Sequence, residues 1–238
     1  MDMAEKGNPK TGKVGILTFH CSDNFGAMLQ AYALKRWLLA GGAAAEIVRY
    51  EPPFLTGRHW LMPYIPSKGV KGRLWTLANM GFGLLHNLQA GRAFAEKRRN
   101  MHRFRMTHLI DRTQPRILFL PGLKRLPYRC YVVGSDQIWN PEITRGLRKA
   151  YFGAFADRRK ARVVAYGASL GSDCLPAQYD RPFGELIRRL DAVSVREAGA
   201  AAYVRQFFPG EVAVVTDPVF FLTRPEWQAV ERAPELED

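Results

Sequence analysis

Apolar positions in this 238-residue chain come in short blocks, each closed by a polar or glycine-bearing turn. Lys13–Phe19 (KVGILTF) is a β-branched and apolar run without polar alternation, the mark of a strand buried on both faces. Ala27–Ala40 (AMLQAYALKRWLLA) consists of good helix formers with few charges, and Gly41-Gly42 signals its end. Ala45–Tyr50 (AEIVRY) predicts a second strand, stopped by Pro52-Pro53. A strand–helix–strand unit of this kind implies parallel pairing through a right-handed crossover.

The middle of the chain breaks this rhythm. Leu74, Leu77, Ala78, Leu84, Leu85 and Leu88 recur at helical spacing, and Arg92–His108 reads as a basic helix. Regular alternation then resumes: strands at Arg129–Val133, Ala161–Tyr166, Ala192–Val195 and Val212–Val215, and helices at Phe183–Leu190, Glu197–Phe208 and Arg224–Glu231. The pattern predicts an α/β fold with an open, mainly parallel sheet and a basic, mostly helical insertion over 56–128, after the second strand.

Each strong strand leads into a small polar or glycine-containing cluster: HCSDNFG (His20–Gly26), GSDQIWN (Gly134–Asn140), GASLG (Gly167–Gly171), REAG (Arg196–Gly199) and TDP (Thr216–Pro218). In a parallel sheet these turns share one edge, at the carboxyl ends of the strands, where open α/β folds bind ligands. His20–Gly26 therefore reads as a site loop entering a helix whose first amides favour anions. It lacks the glycines of a dinucleotide fingerprint or a P-loop. Residue by residue, alternatives remain open. His20 is a candidate acid–base group or a strand-end histidine bonded to backbone, and Cys21 has no identifiable activating partner. Asn24-Phe25-Gly26 reads equally as a helix cap, and Asp136 as the carboxylate of an Asx turn. Trp139 fits a core plug as well as a sugar platform. Ser169 and Arg196 fit turn-satisfying or salt-bridging roles as well as ligand contact.

Composition narrows the class. With 47% apolar and 24% charged residues the chain reads as soluble and globular, long enough for a sizeable core. Three widely spaced cysteines make neither a disulfide framework nor a metal site, which fits a reducing cytoplasm. A polar start and the lack of a strong uncharged apolar run predict neither a secretory signal nor a membrane span. The net charge of +13 is confined to residues 56–131, which hold 15 Lys and Arg against two acids; elsewhere the charges cancel. No nucleic-acid-binding motif accompanies that segment. Residues 68–105 read either as a core-packing helix with a solvated basic neighbour or as an in-plane contact with a partner, an anionic membrane surface.

The stretches GILTFHCSDNFGAMLQAYAL, YVVGSDQIWNP, YFGAFADRRKARVVAYGASLG, DAVSVRE and TDPVFFLTRPEW, in this order and spacing, resemble the polysaccharide pyruvyl transferase family from about residue 13 to about residue 230. The likeness is tight at the loops and loose through 56–128. It implies one Rossmann-like lobe, residues 13–231, of a two-lobed fold similar to GT-B glycosyltransferases. It also implies transfer of pyruvate from phosphoenolpyruvate to a saccharide, as a ketal, in cell-envelope or exopolysaccharide synthesis. Phosphoenolpyruvate would be a co-substrate, with no cofactor and no metal, and the acceptor a saccharide or lipid-linked saccharide. Mapped on the family's loops, Asn24, Gly26, Gly134, Ser135, Gln137, Asn140, Ser169 and Arg196 are substrate-binding positions, and His20 and Asp136 take the catalytic roles. Phe25 stands where the family often has Tyr. The family's second lobe, which carries most donor-binding Arg and His residues, is expected to be absent, so a separate second lobe becomes an expected partner. The alternative is a non-catalytic saccharide-binding module or truncated remnant. A nucleotide-sugar glycosyltransferase lobe is a weaker analogy. The expected location is cytoplasmic, peripheral to the inner face of the membrane.

Overall fold

The computed structural model describes residues 12–53, 55 and 91–231. The leucine-rich helix expected over 74–88 lies outside them. Six strands form one sheet in the order β2-β1-β3-β4-β5-β6, every pair parallel. They are β1 (Val14–Leu17), β2 (Ala45–Ile47), β3 (Cys130–Gly134), β4 (Arg162–Ala168), β5 (Ala192–Val195) and β6 (Val212–Val214). Among the described residues, the α-helices of five residues or more are α1 (Phe25–Ala40), α2 (Gly91–Phe104), α3 (Asp180–Ile187), α4 (Ala198–Arg205) and α5 (Arg224–Gln228). The fold is α/β and Rossmann-like, and each strand anticipated from the apolar runs is present.

Side-chain alternation along the strands sorts the core into two layers. Ile16, Ile47 and Val132 point to one face, where Met28, Ala31 and Leu34 of α1 and Met101 of α2 cover them. Leu17, Val133 and Val163 point to the other, against Phe183 and Ile187 of α3 and Ala200 and Val204 of α4. With helices on both faces, the strands had to be apolar throughout, which is why they read as unbroken runs. The insertion returns beside β2: Glu51 N–H donates to Ile117 O at 2.8 Å and Ile117 N–H to Arg49 O at 2.9 Å. Buried Glu51 also pairs with Arg49 and Arg116, clamping the two segments.

Strand order changes direction between β1 and β3: the chain moves outward to β2 and then back across β1 to β3. The turns after β1 and β3 thus leave toward opposite faces and open a crevice at the carboxyl edge. At the end of β3, Gly134 has φ +127°, and a Cβ there would lie 2.2 Å from the carbonyl oxygen of Tyr166 on β4. Only glycine permits that approach. Gly26, in contrast, is exposed in the first turn of α1, where a Cβ would meet nothing nearer than Asn24 Oδ1 at 3.3 Å. Gly134→Ala should therefore cost at least about 3 kcal/mol, while Gly26→Ala stays within about 1 kcal/mol of the parent. Urea unfolding of both variants checks the contrast, and equal stabilities would refute it.

Candidate functional site

The β1 loop splits between the interior and the surface. His20 is fully buried; its Nδ1 lies 3.2 Å from the Thr18 carbonyl, which can only accept, so Nδ1 carries the proton and Nε2 presents a lone pair. Nε2 has no partner among the described residues. Burial pulls the imidazole pKa down to about 4, with the bond to Thr18 acting the other way, so the ring is neutral near pH 7. Cys21 is also buried, its thiol pushed up to about 12 by burial and directed at the Tyr50 carbonyl at 3.9 Å. It remains a thiol.

Farther along, Asn24 caps α1: its Oδ1 accepts from Ala27 N–H at 3.1 Å. Such a cap is worth about 0.5–2 kcal/mol, so its side chain is committed to the helix whatever else it touches. Asp23, which sequence reasoning passed over, pairs with Arg105 at 3.2 Å and Arg98 at 3.5 Å. Lys97 Nζ lies 5.3 Å from the centre of the exposed Phe25 ring, a cation–π contact that needs no hydroxyl. The basic segment is therefore not remote from the rim: α2 is tied across the β1 loop by one carboxylate and one aromatic ring. The sequence signal was available, an acid in the site loop and a run of cations without acids. Nothing in the spacing linked them.

The β3 and β4 loops are zipped together. Ser169 N–H donates to Asp136 O at 3.1 Å and Trp139 N–H to Ser169 O at 3.2 Å. Ser169 is buried and its Oγ accepts from Gly171 N–H at 3.0 Å, a turn-holding role. Asn140 caps the one-turn helix Pro141–Thr144 through Oδ1 and donates from Nδ2 to Gln137 Oε1 at 2.9 Å. Trp139 is completely buried, stacked on Phe152 at 5.4 Å with Nε1 donating to Tyr151 O, and is a core plug. Ser135 is fully buried beside Gly167, and its Oγ has no partner among the described residues.

Asp136 is the carboxylate left at this junction. Its Oδ1 accepts from Gln137 N–H at 2.7 Å, and no donor among the described residues is bonded to its Oδ2. Burial raises its pKa, opposed by the Gln137 N–H and by Arg196, while Asp217 adds to the rise. Arg196 is bonded through Nη1 to Asp217 at 2.5 Å, with Glu197 3.6 Å from Nε. Asp217 in turn accepts from Val219 N–H. The rim thus groups Asp136, Ser169, Arg196 and Asp217 on the β3–β6 side, whereas His20 sits in the field of Arg105, Glu51 and Arg49. Tyr151, fully buried with a hydroxyl that has no partner among the described residues, feels both Cys21 and Asp136 and packs edge-on against Phe19 at 5.4 Å. It stands within a quoted motif, but nothing in the sequence distinguished it from the aromatic core around it.

The depressed pKa of His20 has a measurable consequence. The unfolded chain takes up this proton near the ordinary value of 6.5 and the folded chain only near 4. Between those values the unfolded state binds more protons, so stability falls as pH drops from 6.5 to 4, by about 3 kcal/mol from this group. His20→Asn should be less stable than the parent at pH 7 but lose less on going to pH 4. Thermal unfolding at both pH values checks this, and identical pH dependence in the two proteins would contradict it.

A model of the family described as polysaccharide pyruvyl transferase matches residues 24–238, from the α1 cap through all the rim loops after β3. No curated protein and no solved structure matches the chain. The match spans most of the sequence, and the chain belongs to the polysaccharide pyruvyl transferase family.

Proposed function

We propose that the protein transfers pyruvate from phosphoenolpyruvate to a saccharide as a ketal, and that the described lobe is the acceptor side of a two-lobed, GT-B-like enzyme. The observation that carries the reading is the family match over 24–238, whose loops converge on the crevice between β1 and β3. Ketal formation adds one sugar hydroxyl to C2 of the enol while its methylene carbon gains a proton. The second hydroxyl then displaces phosphate from C2, and each hydroxyl loses its proton. In this reading Asp136, through Oδ2, takes a proton from the attacking hydroxyl; a positioned base of this kind contributes about 10²–10⁴-fold. Gly134, Ser135, Gln137, Asn140, Ser169 and Arg196 shape its loop, and Asn24 and Gly26 the opposite lip. His20, neutral and fully buried at the start of the β1 loop, offers an Nε2 lone pair that no described residue engages.

Donor binding argues for a second lobe. Phosphoenolpyruvate brings a carboxylate and a phosphate, which need fixed cationic donors. On this rim Arg196 is engaged by Asp217 and Glu197, and Arg105 by Asp23. A donor-side lobe, on the same or another chain, supplies the rest.

The reaction can be read in the cell. Deleting the gene should strip pyruvate ketals from the envelope polysaccharide, and the parent gene should restore them. Asp136→Asn, folded to parental stability, should restore less than about a tenth. Ketal content unchanged on deletion would overturn the assignment. In calorimetry this lobe should give no phosphoenolpyruvate binding; saturable binding would remove the need for a donor-side lobe while leaving the transferase reading intact.

We further infer contact with an anionic membrane through the basic segment. No helix among the described residues is long and apolar enough to cross a membrane. On α2, Arg99, His102 and Arg103 are exposed while Met101 is buried, so the helix presents cations outward besides the docked Lys97 and Arg98; residues 68–90 lie outside the described residues. Near an anionic surface each Lys or Arg is worth about 1 kcal/mol. The protein should float with phosphatidylserine vesicles at low salt and not with phosphatidylcholine ones, and Arg99→Glu with Arg103→Glu should reduce flotation. Equal recovery with both vesicles would exclude an electrostatic contact.

A further inference from the structure

Just past β1, four side-chain atoms are sealed from solvent and have no partner among the described residues: Nε2 of His20, Oε1 of Gln30, Oγ of Ser22 and Nε of Arg105. Native interiors rarely leave such atoms unmatched, and four in one neighbourhood call for a common explanation. Thr18 holds two of them in position. Its carbonyl accepts from His20 Nδ1 at 3.2 Å, and its Oγ1 accepts from Gln30 Nε2 at 2.8 Å. Gln30 Nε2 also donates to the Ala27 carbonyl at 2.7 Å, so both amide hydrogens are used and the amide is fixed with Oε1 as an acceptor. His20 is fully buried and Gln30 is 2% exposed. Arg105 opens a π-helical turn, Arg105–Leu109, whose last two carbonyls accept from Lys35 Nζ of α1 at 3.0 and 3.1 Å. Such turns are rare and frequently carry site residues. Arg105 Nη2 donates to Asp23 at 3.2 Å, while Nε–H is left as a donor, and His20 lies in the field of the guanidinium.

The balance of donors and acceptors selects the occupant. His20 Nε2 and Gln30 Oε1 accept only, Arg105 Nε donates only, and the Ser22 hydroxyl does either. A phosphate or carboxylate would set its lone pairs against two acceptors. A metal ion or an ammonium group would meet the Arg105 guanidinium. A neutral oxygen that carries hydrogen suits all four. We propose that His20, Gln30, Ser22 and Arg105 form a binding site for one hydroxylic oxygen, which accepts from Arg105 Nε and donates to His20 Nε2 or Gln30 Oε1. Water and a saccharide hydroxyl share this chemistry. Water donates to both acceptors; a sugar hydroxyl donates to one, and Ser22 O–H serves the other. Only the saccharide source rests on the transferase reading, in which Gln30, Ser22 and Arg105 hold the second of the two hydroxyls that close the ketal.

Nitrogen-15 NMR of the full chain, labelled in histidine, reads the site directly, with His20 assigned by its loss in His20→Asn. Its Nε2 should resonate upfield of an imidazole nitrogen whose lone pair is free. Ser22→Ala, and Arg105→Lys, which keeps a charge for Asp23, should each move that resonance in protein shown by thermal unfolding to be folded. A free-lone-pair position in the parent, or one unchanged position in the parent and both variants, would overturn the proposal. Titration with methyl galactoside, a neutral polyhydroxyl probe, separates the two sources. If the resonance follows the sugar saturably, and at least about fivefold more weakly in Ser22→Ala or Arg105→Lys, the oxygen is the saccharide's. If it ignores the sugar, the oxygen is water's, and the site stands without a part in holding the acceptor. Saturable movement with inorganic phosphate would make this an anion site and refute the proposal. The resonance requires no turnover, so a site that holds while ketal content ignores gene deletion would refute the transferase reading alone.

Discussion

Parallel pairing of β1 with β3 is the constraint on which the rest of the molecule depends. Its register, Val14 with Cys130 through Leu17 with Val133, sets two strands side by side that are more than a hundred residues apart in sequence. Since the chain has passed outward to β2 in between, the two turns at their carboxyl ends diverge to opposite faces, and a crevice must open there. Everything assigned to the site follows from that divergence. The β1 loop enters α1 on one face; the β3 loop returns against β4 and is fixed by the backbone bonds of Asp136, Trp139 and Ser169. Gly134 is the point where this geometry becomes strict, because β3 and β4 approach too closely for any side chain.

Electrostatics ties α2 and Arg105 just beyond it to the β1 loop at that crevice. The excess charge looked in the sequence like a property of one segment, indifferent to the sheet. In the fold it is partly spent on docking: Asp23 draws in Arg98 and Arg105, and the Phe25 ring receives Lys97. Arg105 is mostly buried, so losing Asp23 would leave a largely desolvated guanidinium without that partner, a more serious matter than breaking an exposed pair. The same helix keeps its other cations outward, which is how one segment can both shape the rim and face an anionic surface.

Strands were legible in the sequence because a sheet covered on both faces leaves no room for polar alternation, and the helix and strand starts fell within a few residues of those observed. Site loops were legible for the same reason in reverse. Polar residues such as His20, Asp136 and Arg196 interrupt apolar runs at the one edge where parallel strands all end. What each of them does was not legible. Asn24 is a cap, Trp139 a core plug and Ser169 a turn lock, and these roles depend on partners that hydrophobic pattern does not encode. The depth of His20 is a tertiary outcome too, since burial comes from elements after β2 as well as from its own strand. Tyr151 was invisible for a further reason: the rings that meet it, Phe19 and Tyr50, come from separate segments that approach it only after folding.

The pairing of charges across the rim indicates which substrate this half of the crevice suits. Acids and bases there are matched locally: Asp23 with Arg98 and Arg105, Glu51 with Arg49 and Arg116, Asp217 and Glu197 with Arg196. An anionic ligand entering between them would have to compete with a carboxylate already in place, at short range and in a poorly screened setting where that competition is costly. A neutral polyhydroxyl ligand faces no such contest. It can accept from backbone amides at the loop ends and donate to Asp136 Oδ2, the carboxylate oxygen that the described residues leave unbonded. Burial raises the pKa of that carboxylate, which makes it a stronger base once ionised than an exposed aspartate. In the proposed reading the crevice holds a sugar and Asp136 takes its proton.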